Sequence, residues 1–320
     1  GANWIHLEIS SKGSNPFKDI KVVFRLFYIY IKHKPDVIYH FTIKNNIYGT
    51  WAAFFSNIPC INNITGLGTA FIHKSFISYI VKVLYKLSQP LAHRVYCQNS
   101  DDFKLILNQK LVPHKKLFLL PGSGIDINRF HPDLIKEKPK TFTFLFAGRL
   151  LADKGIFELM ESMKDINKNK IICNLWVCGF LNLDNLSAIS SKNIREWKNL
   201  PYIKWIEPTN QIESVMKHVS CIVLPSYREG MARTLLEAGA MGIPCVTTDV
   251  PGCKDVIMDG ENGFLCNARD SNSLKLAMMK MINSSEEHIS SMGKIARKNI
   301  EENFNESIVI NAAVEGLNSI

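Results

Sequence analysis

The most constraining feature of this sequence is the stretch 224–248, LPSYREGMARTLLEAGAMGIPCVTT. It begins at the end of an apolar run, 221–224, which predicts a buried strand. Good helix formers follow, and Gly242 and Pro244 end the predicted helix before another apolar strand. A helix that starts just past the carboxyl end of a parallel strand offers backbone N–H groups and a positive dipole, which together suit a phosphate.

Short apolar strands alternate with helices along the whole chain, which predicts α/β domains with parallel sheets. We predict a first domain over 1–130, a linker over 131–140, a second domain over 141–303, and a C-terminal helix over 304–320 that packs back on the first domain. Residues 4–9 are expected to form a strand. The opening GANWIHLEIS resembles the middle of a domain, so we expect the first domain to be incomplete at its N-terminus.

Composition excludes several classes of protein. A hydrophobic content of 46% with 21% charged residues can fill a sizeable core, so intrinsic disorder is not expected. The longest apolar stretch, 71–91, carries His73, Lys74, Lys82 and Lys86, so no membrane-spanning helix is predicted. The eight cysteines are dispersed without C-x-x-C spacing, which favours buried thiols in a reducing compartment over disulfides or a zinc site.

Charge is distributed unevenly. Residues 1–130 hold 16 Lys and Arg against 6 Asp and Glu, whereas the remainder holds 22 against 23. An anionic partner for the first half is therefore expected: nucleic acid, an anionic membrane surface or a lipid-linked phosphate. A basic surface that only confers solubility remains an alternative. No nucleic-acid-binding motif accompanies these charges, so nucleic acid is the least favoured partner.

Two helical stretches, 24–34 and 71–91, combine aromatic with basic residues. Such a pattern fits a helix that lies at a membrane interface, and a buried core helix is the competing interpretation. The residues concerned in the second stretch are Phe71, Phe76, Tyr79 and Tyr85 with Lys74, Lys82 and Lys86.

A second candidate phosphate loop, 146–156, follows a predicted strand and enters a helix. Gly148 would allow a ligand to approach the backbone closely, and Arg149 and Lys154 would donate charge-assisted hydrogen bonds to a diphosphate. Taken alone, the segment slightly favours the alternative of an ordinary strand–helix loop with solvated cations.

Glu229 and Glu237 stand eight residues apart, about 12 Å along a helix axis. This separation is too long for a pair of carboxylates that share a proton or act as in a retaining glycosidase, where they lie roughly 5 Å apart. Both could instead contact one extended ligand. Glu229 would accept hydrogen bonds from a sugar and Glu237 from a ribose, while the N–H groups of Gly230, Met231 and Ala232 hold phosphates. Alternatively, Glu229 merely stabilises the helix dipole and Glu237 lies on a solvated helix face.

Polar residues that could bind a ligand follow two predicted strands of the first half. His40 could orient a ligand hydroxyl, although a hydrogen-bonded core histidine is the favoured interpretation. Lys44 could meet a diphosphate. The glycine-rich loop 65–69, with Thr65 and Gly66, could shape a ligand pocket or simply form a tight turn.

These segments closely resemble the retaining, nucleotide-sugar-dependent glycosyltransferases of family 4, which have the GT-B fold. The E-x7-E spacing matches at Glu229 and Glu237, and G-R-x-x-x-x-K-G matches at Gly148, Arg149, Lys154 and Gly155. A tail pattern matches at Pro251, Gly252, Asp255, Ile257, Gly260, Asn262, Gly263 and Leu265. The segments 38–49 and 63–68 are similar to the branch that assembles bacterial surface polysaccharides on undecaprenyl diphosphate.

The resemblance implies two Rossmann-like domains whose sheets face a cleft, with a nucleotide-diphosphate sugar, UDP-sugar favoured, on the second. Arg149 and Lys154 would neutralise the leaving diphosphate and Glu229 would hold the sugar, which makes these three the catalytic candidates. The implied donor contacts are Gly148, Arg149, Lys154, Glu229, Gly230, Met231, Ala232, Thr234, Leu235 and Glu237. The acceptor would lie on the first domain, which makes His40, Lys44, Thr65 and Gly66 the acceptor candidates. Neither a metal nor another cofactor is implied.

The sequence therefore predicts a retaining transferase of a hexose or N-acetylhexosamine. Its acceptor would be a lipid-linked saccharide at the inner face of the cytoplasmic membrane, where the protein would be peripheral. Two alternatives stay open: a nucleotide-sugar epimerase or hydrolase of the same fold, and a non-catalytic nucleotide-sugar-binding subunit.

Overall fold

The computed structural model describes residues 3–7, 16–67, 76–181, 185 and 187–320. The chain divides into two compact units, Gly1–Leu120 together with Ala312–Ile320, and Pro121–Asn311. The division falls earlier than the predicted boundary at 130, and 131–140 is not a separate linker. The reason is packing: Phe130 is fully buried in the core of the second unit, and Ile135 packs against the same core.

The first unit is built on a four-stranded parallel sheet in the order β1-β2-β3-β4. Its helices are α1 (Pro16–His33), α2 (Thr50–Phe55), α3 (Phe76–Ser88) and α4 (Ser100–Asn108), and its strands are β1 (Ile38–Phe41), β2 (Cys60–Ile64), β3 (Arg94–Cys97) and β4 (Leu117–Leu119). The strand expected over 4–9 is not observed at 3–7, which are irregular, and residues 8 and 9 lie outside the described part.

The last residues of the chain belong to this first unit. Tyr39 and Tyr96 donate hydrogen bonds from their hydroxyls to the carbonyls of Ala313 and Ala312, at 2.9 and 2.8 Å. Gly316 packs so tightly that a Cβ there would lie 2.7 Å from the Tyr96 hydroxyl. The C-terminal residues are thus fixed by specific contacts.

The second unit contains a six-stranded sheet in the order β10-β9-β8-β5-β6-β7. Its strands are β5 (Thr143–Ala147), β6 (Asn174–Cys178), β7 (Ile203–Ile206), β8 (Cys221–Leu224), β9 (Cys245–Thr248) and β10 (Gly263–Cys266). Its helices are α5 (Ile156–Ile166), α6 (Ser191–Lys198), α7 (Glu213–Met216), α8 (Arg233–Ala240), α9 (Ser271–Asn283) and α10 (Glu286–Asn303), and α11 (Glu306–Asn318) leads into the first unit.

The strand order of the second unit reverses between β5 and β8. From β5 the chain proceeds outward through β6 and β7, and then returns to β8 on the other side of β5. Leu145 of β5 pairs in register with Ile222 of β8, and both strands are parallel and fully buried. In a doubly wound sheet this reversal is where ligands bind, outside the carboxyl ends of the strands. A ligand-binding site is therefore expected at the loops that follow β5 and β8.

Two further features bear on the predictions. All eight cysteines lie within the described residues, are buried and form no disulfide. No helix in the described part of the chain is long and apolar enough to cross a lipid bilayer.

Candidate active site

The loops after β5 and β8 are packed directly on each other. Gly155 adopts φ +70°, and a Cβ at this position would lie 2.0 Å from the carbonyl oxygen of Pro225. The N–H of Tyr227 donates to the carbonyl of Asp153 at 2.9 Å. Glycine at 155 is therefore required for the two loops to meet, and their contact fixes Lys154, which closes the first loop.

Gly148 stands at the end of β5 and has a different role. Among the described residues, a Cβ at Gly148 would meet no atom within 4 Å, and the backbone of Gly148 does not have positive φ. The adjacent Gly179, by contrast, leaves no room, because its Cβ would lie 1.9 Å from the carbonyl of Gly148. The described residues thus give no packing reason for glycine at 148, and they leave space beside the end of the strand.

An ion pair joins the two loops beside the end of β5. The Lys154 ammonium donates to Glu229 Oε1 at 2.5 Å, and each side chain is only 14% exposed. Arg149 lies on the same loop as Lys154 and is exposed. Of the two predicted cations, one is therefore paired with the predicted sugar-binding carboxylate, and the other faces solvent.

The loop carrying Glu229 is held by the segment that follows β9. Glu229 N–H donates to the Pro251 carbonyl at 3.1 Å, and Ala232 N–H donates to the Gly252 carbonyl at 3.0 Å. Gly252 adopts φ +78°, and a Cβ there would lie 2.6 Å from the Glu229 carbonyl oxygen. The Asp255 carboxylate accepts from Gly252 N–H at 2.9 Å. The P-G-x-x-D pattern of the sequence thus positions Glu229.

Helix α8 begins at Arg233, later than predicted, because the N–H of Ala232 is bonded to Gly252 rather than being available to a phosphate. Leu235 is also removed from the candidate donor contacts, since its side chain is fully buried and its N–H donates to the Ala232 carbonyl at 2.9 Å. Thr234 donates its hydroxyl hydrogen bond to the Ala147 carbonyl at 3.0 Å, which ties the start of α8 to the end of β5.

The remaining two predicted phosphate contacts, Gly230 and Met231, are half-buried in the same loop. The Met231 side chain packs over Gly122, where a Cβ would lie 2.5 Å from Met231 Cγ. Any contact of Met231 with a ligand would therefore come from its backbone.

Glu237 is buried, with 9% of its surface exposed, so it does not lie on a solvated helix face. Burial raises the pKa of its carboxyl above the usual range, while Arg233 acts in the opposite direction. The Arg233 guanidinium donates to Glu237 Oε1 at 3.0 Å. The i,i+4 spacing of these two residues on the predicted helix is the sequence signal for this contact.

The model of the family of glycosyl transferases group 1 matches residues 128–299, which is more than half of the chain. The chain belongs to this family. Because the match lies within the second unit, the open strand end at Gly148, the Lys154–Glu229 pair and Glu237 all fall inside the family region.

Among curated proteins, this glycosyltransferase is 27% identical over 304 residues to the capsular polysaccharide biosynthesis glycosyltransferase CapM of Staphylococcus aureus, covering 92% of this chain and 79% of CapM. It is 26% identical to a UDP-Gal:alpha-D-GlcNAc-diphosphoundecaprenol alpha-1,3-galactosyltransferase of Escherichia coli, covering 90% and 76% of the two chains. Identity to a Campylobacter jejuni N,N'-diacetylbacillosaminyl-diphospho-undecaprenol alpha-1,3-N-acetylgalactosaminyltransferase is 27%, with 86% and 75% covered.

Among solved structures, Anabaena Alr3699/HepE in complex with UDP-glucose superposes with a TM-score of 0.79 at 17% identity, covering 96% of this chain and 84% of that one. Sucrose-phosphate synthase from Thermosynechococcus elongatus gives the same TM-score at 18% identity, with 94% and 79% covered. The predicted fold class, GT-B with two parallel α/β units, is confirmed.

In the first unit of this glycosyltransferase, the structure overturns the acceptor role predicted for His40. Its Nε2 lies 3.0 Å from the Tyr30 hydroxyl, and its Nδ1 lies 2.9 Å from Asn62 Oδ1. Burial lowers the pKa of His40 to about 4, so the ring is neutral at physiological pH. Both ring nitrogens are engaged inside the core, as the alternative interpretation expected, and neither is available to an acceptor.

Lys44 does not offer a free cation either. Its ammonium donates to Asp19 Oδ1 at 2.9 Å, and Asp19 also accepts from the Tyr48 hydroxyl at 2.8 Å. The charge that the sequence assigned to an acceptor diphosphate is therefore neutralised within the protein, because Asp19 on α1 approaches Lys44 from a separate element.

The remaining acceptor candidates stay untested. Thr65 is exposed, and Gly66 adopts φ +137°, which a glycine accommodates readily. The turn interpretation of this loop is thus consistent with Gly66, while residues 68 and 69 lie outside the described part.

The predicted interfacial helix is only partly supported. Tyr85 is fully buried, so it cannot contact a membrane, whereas Tyr79 is exposed. Phe71, Lys74 and the side chain of Phe76 lie outside the described residues.

Proposed function

We propose that this glycosyltransferase moves a hexose or N-acetylhexosamine from a UDP-sugar to a lipid-linked oligosaccharide precursor of a bacterial surface polysaccharide, with retention at the anomeric carbon. The observation that supports a donor site most strongly is the open end of β5 at Gly148. The ion pair between Lys154 and Glu229 joins the loops that follow β5 and β8, and all three residues lie in the region that the family model matches.

The donor diphosphate is assigned to the space beside Gly148, with Arg149 and Lys154 as its cations. Gly148 leaves the room, and Lys154 is already fixed by the packing of the two loops. The start of α8 adds a positive dipole, because the first N–H groups of a helix have no partner within it. Two cations and a helix start would stabilise the charge that develops on the leaving diphosphate.

Glu229 is assigned to the donor sugar as a hydrogen-bond acceptor. Its carboxylate is bound to Lys154, which lowers its suitability as a nucleophile. In the front-face course that the family resemblance implies, the bond from the anomeric carbon to the phosphate oxygen breaks while the acceptor oxygen bonds to the same face. The acceptor proton passes to the leaving phosphate oxygen, so no side-chain base is needed.

Glu237 is assigned to the ribose. It is buried about one turn into α8, and Arg233 holds its carboxylate in one orientation. A buried carboxylate that accepts two ribose hydroxyls would fix the nucleoside end of the donor, and the charged acceptor makes such hydrogen bonds strong.

The acceptor assignment rests on the named relatives and on charge. Two of them act on diphosphoundecaprenol-linked sugars according to their names. The excess of Lys and Arg in residues 1–130 suits an anionic lipid-linked diphosphate and an anionic membrane surface, with the protein peripheral on the cytoplasmic face. We propose further that transfer needs no metal.

The test is a transfer assay with the full chain, a panel of UDP- and GDP-sugars, and undecaprenyl diphosphate carrying one sugar. Formation of an extended lipid-linked product with one UDP-sugar, undiminished by EDTA, is expected. NMR of the product should show the same anomeric configuration as the donor. Nucleotide binding without product from any donor would contradict the proposal and favour a binding subunit. Inverted configuration would contradict retention.

A further inference from the structure

Helix α1 of the first unit exposes an apolar face to solvent. Ile20, Phe24, Tyr28 and Ile31 are each between 47% and 69% exposed and recur every three or four residues, so they form one stripe. We call this stripe the outer face of α1. Val22, Leu26 and Tyr30 on the opposite side are buried in the core. The helix therefore has apolar residues where a surface helix normally carries polar ones.

The residues beside the outer face are basic. Lys21, Arg25 and Lys32 are exposed, and helical geometry places them within about 60° of Tyr28 along one border of the stripe. None of the three forms an ion pair with another residue in the described part of the chain. The acid of this helix, Asp19, is buried and bound to Lys44 and Tyr48, so it does not offset them.

Apolar exposure continues on the neighbouring helix. Phe54 and Phe55 at the end of α2 are 55% and 68% exposed, and their rings meet edge to face with centroids 5.6 Å apart. Helix α2 packs against α1. Two adjacent helices of the first unit therefore each expose aromatic side chains to solvent. Apolar residues that are exposed singly are normal on a protein surface, but a group of them on neighbouring helices indicates an interaction site.

We propose that the outer face of α1 docks on an anionic lipid bilayer, with the helix axis parallel to the membrane surface. Phe24, Tyr28 and the two isoleucines enter the boundary between headgroups and acyl chains, and Lys21, Arg25 and Lys32 meet lipid phosphates. An apolar stripe bordered by unpaired cations matches both layers of that boundary. The proposal rests on the proposed function, in which the acceptor is lipid-linked. It identifies the residues by which the protein would contact the membrane.

A second copy of this chain is a poorer occupant. In a twofold contact through the outer face, the same basic border from each copy would be brought to one interface, and like charges oppose such pairing. On an anionic bilayer this repulsion is absent, and the same basic residues are attracted to the lipid phosphates.

The experiment is flotation of the full chain with vesicles of phosphatidylcholine containing 30% phosphatidylglycerol, and with vesicles of phosphatidylcholine alone. We expect binding to the anionic vesicles only. Phe24→Ser with Tyr28→Ser should weaken it at least tenfold, because both apolar anchors are lost. Lys21→Gln with Arg25→Gln should weaken it about 25-fold, since each cation near an anionic surface contributes about fivefold.

The matched control replaces two apolar residues of the second unit that are equally exposed, Ile171→Ser with Leu276→Ser, at 51% and 55%. This variant should bind as the unchanged protein does. Because all four substituted apolar side chains are exposed, thermal unfolding should confirm that each variant is folded.

Several results would overturn the inference: full binding by the Phe24/Tyr28 variant, equal binding to neutral vesicles, or concentration-dependent dimerisation lost in that variant without vesicle binding. A transfer assay with a short, water-soluble acceptor separates this inference from the proposed function. Membrane binding without transfer leaves docking intact and contradicts the function, whereas transfer without binding does the reverse.

Discussion

Lys154 and Glu229 lie 75 residues apart in the sequence, yet their side chains meet at 2.5 Å beside the open end of β5. The pair joins the two loops that the sheet reversal brings together. It also neutralises the charge of Lys154 within the protein. In the proposed donor complex, a diphosphate on Lys154 would share or displace this carboxylate, and Glu229 would be left to accept hydrogen bonds from the sugar.

Lys154→Met should lower donor affinity and kcat/KM about 100-fold or more, because both the diphosphate and Glu229 lose their cation. Removing one partner from the largely buried pair should also reduce the free energy of unfolding by about 1–3 kcal/mol. Calorimetric titration with UDP-sugar and chemical unfolding measure the two effects.

The double variant Lys154→Met with Glu229→Gln should recover stability but not activity, since it removes the uncompensated charge. The control is Lys192→Met, whose exposed ammonium lies 4.0 Å from Glu196 and should change neither quantity. Wild-type donor binding by Lys154→Met would remove Lys154 from the donor site.

Gly148→Ala tests whether the space at the end of β5 belongs to the donor. A methyl group there meets no atom of the part of the chain that the structure describes within 4 Å, so the melting temperature should be unchanged. Donor binding should weaken about 10- to 100-fold because the methyl occupies ligand space.

Gly179→Ala, at the glycine that contacts Gly148, should lower stability instead. Its methyl would lie 1.9 Å from the Gly148 carbonyl, and we expect a loss of about 1–3 kcal/mol in stability. Unaltered donor binding by a folded Gly148→Ala would contradict the assignment of this space.

Glu237→Gln should weaken UDP binding about 10- to 100-fold, because a neutral amide replaces the charged acceptor of the ribose hydroxyls. The matched control is Glu196→Gln, which also ends an i,i+4 pair with a cation, in this case Lys192, but is exposed. Calorimetry with UDP alone isolates this effect from sugar contacts, and equal affinities for the two variants would refute the ribose role.

His40 predicts a specific pH dependence of stability. Its pKa is about 4 in the folded protein, compared with about 6.5 unfolded, so the unfolded chain binds more protons between these values. The free energy of unfolding should therefore fall as pH is lowered from 6.5 toward 4, by up to about 3 kcal/mol from this residue.

His40→Gln cannot titrate, so its unfolding free energy should fall less steeply over the same pH range. Urea unfolding at half-unit pH steps measures both slopes. Parallel slopes for the two proteins would show that His40 does not titrate as the buried environment requires.

The fold was largely predictable because it depends on short-range patterns. Apolar runs such as 221–224 became β8, and amphipathic periodicity gave α1. The domain boundary was not predictable, because residues 121–130 join the second unit through the buried Phe130. The start of α8 at Arg233 was not predictable either. Both depend on contacts with distant residues, such as the bond from Ala232 to Gly252, which local sequence does not reveal.

The site shows the same division. Motif spacing identified Lys154, Glu229 and Glu237, whose functions remain predictions, but their partners came only from the structure. Lys44 is the clearest case, because Asp19 neutralises it from another helix. His40 illustrates a related difficulty: its chemistry suits a hydroxyl, but its neighbours Tyr30 and Asn62 fix it in the core.

The return of residues Ala312–Ile320 to the first unit has a consequence for how the chain acquires its structure. Tyr39 and Tyr96 find their hydrogen-bond acceptors only in this last segment. During synthesis, these acceptors leave the ribosome after all of Pro121–Asn311 has emerged. The second unit is continuous and can fold as soon as it is made. The unit that is translated first is therefore completed last.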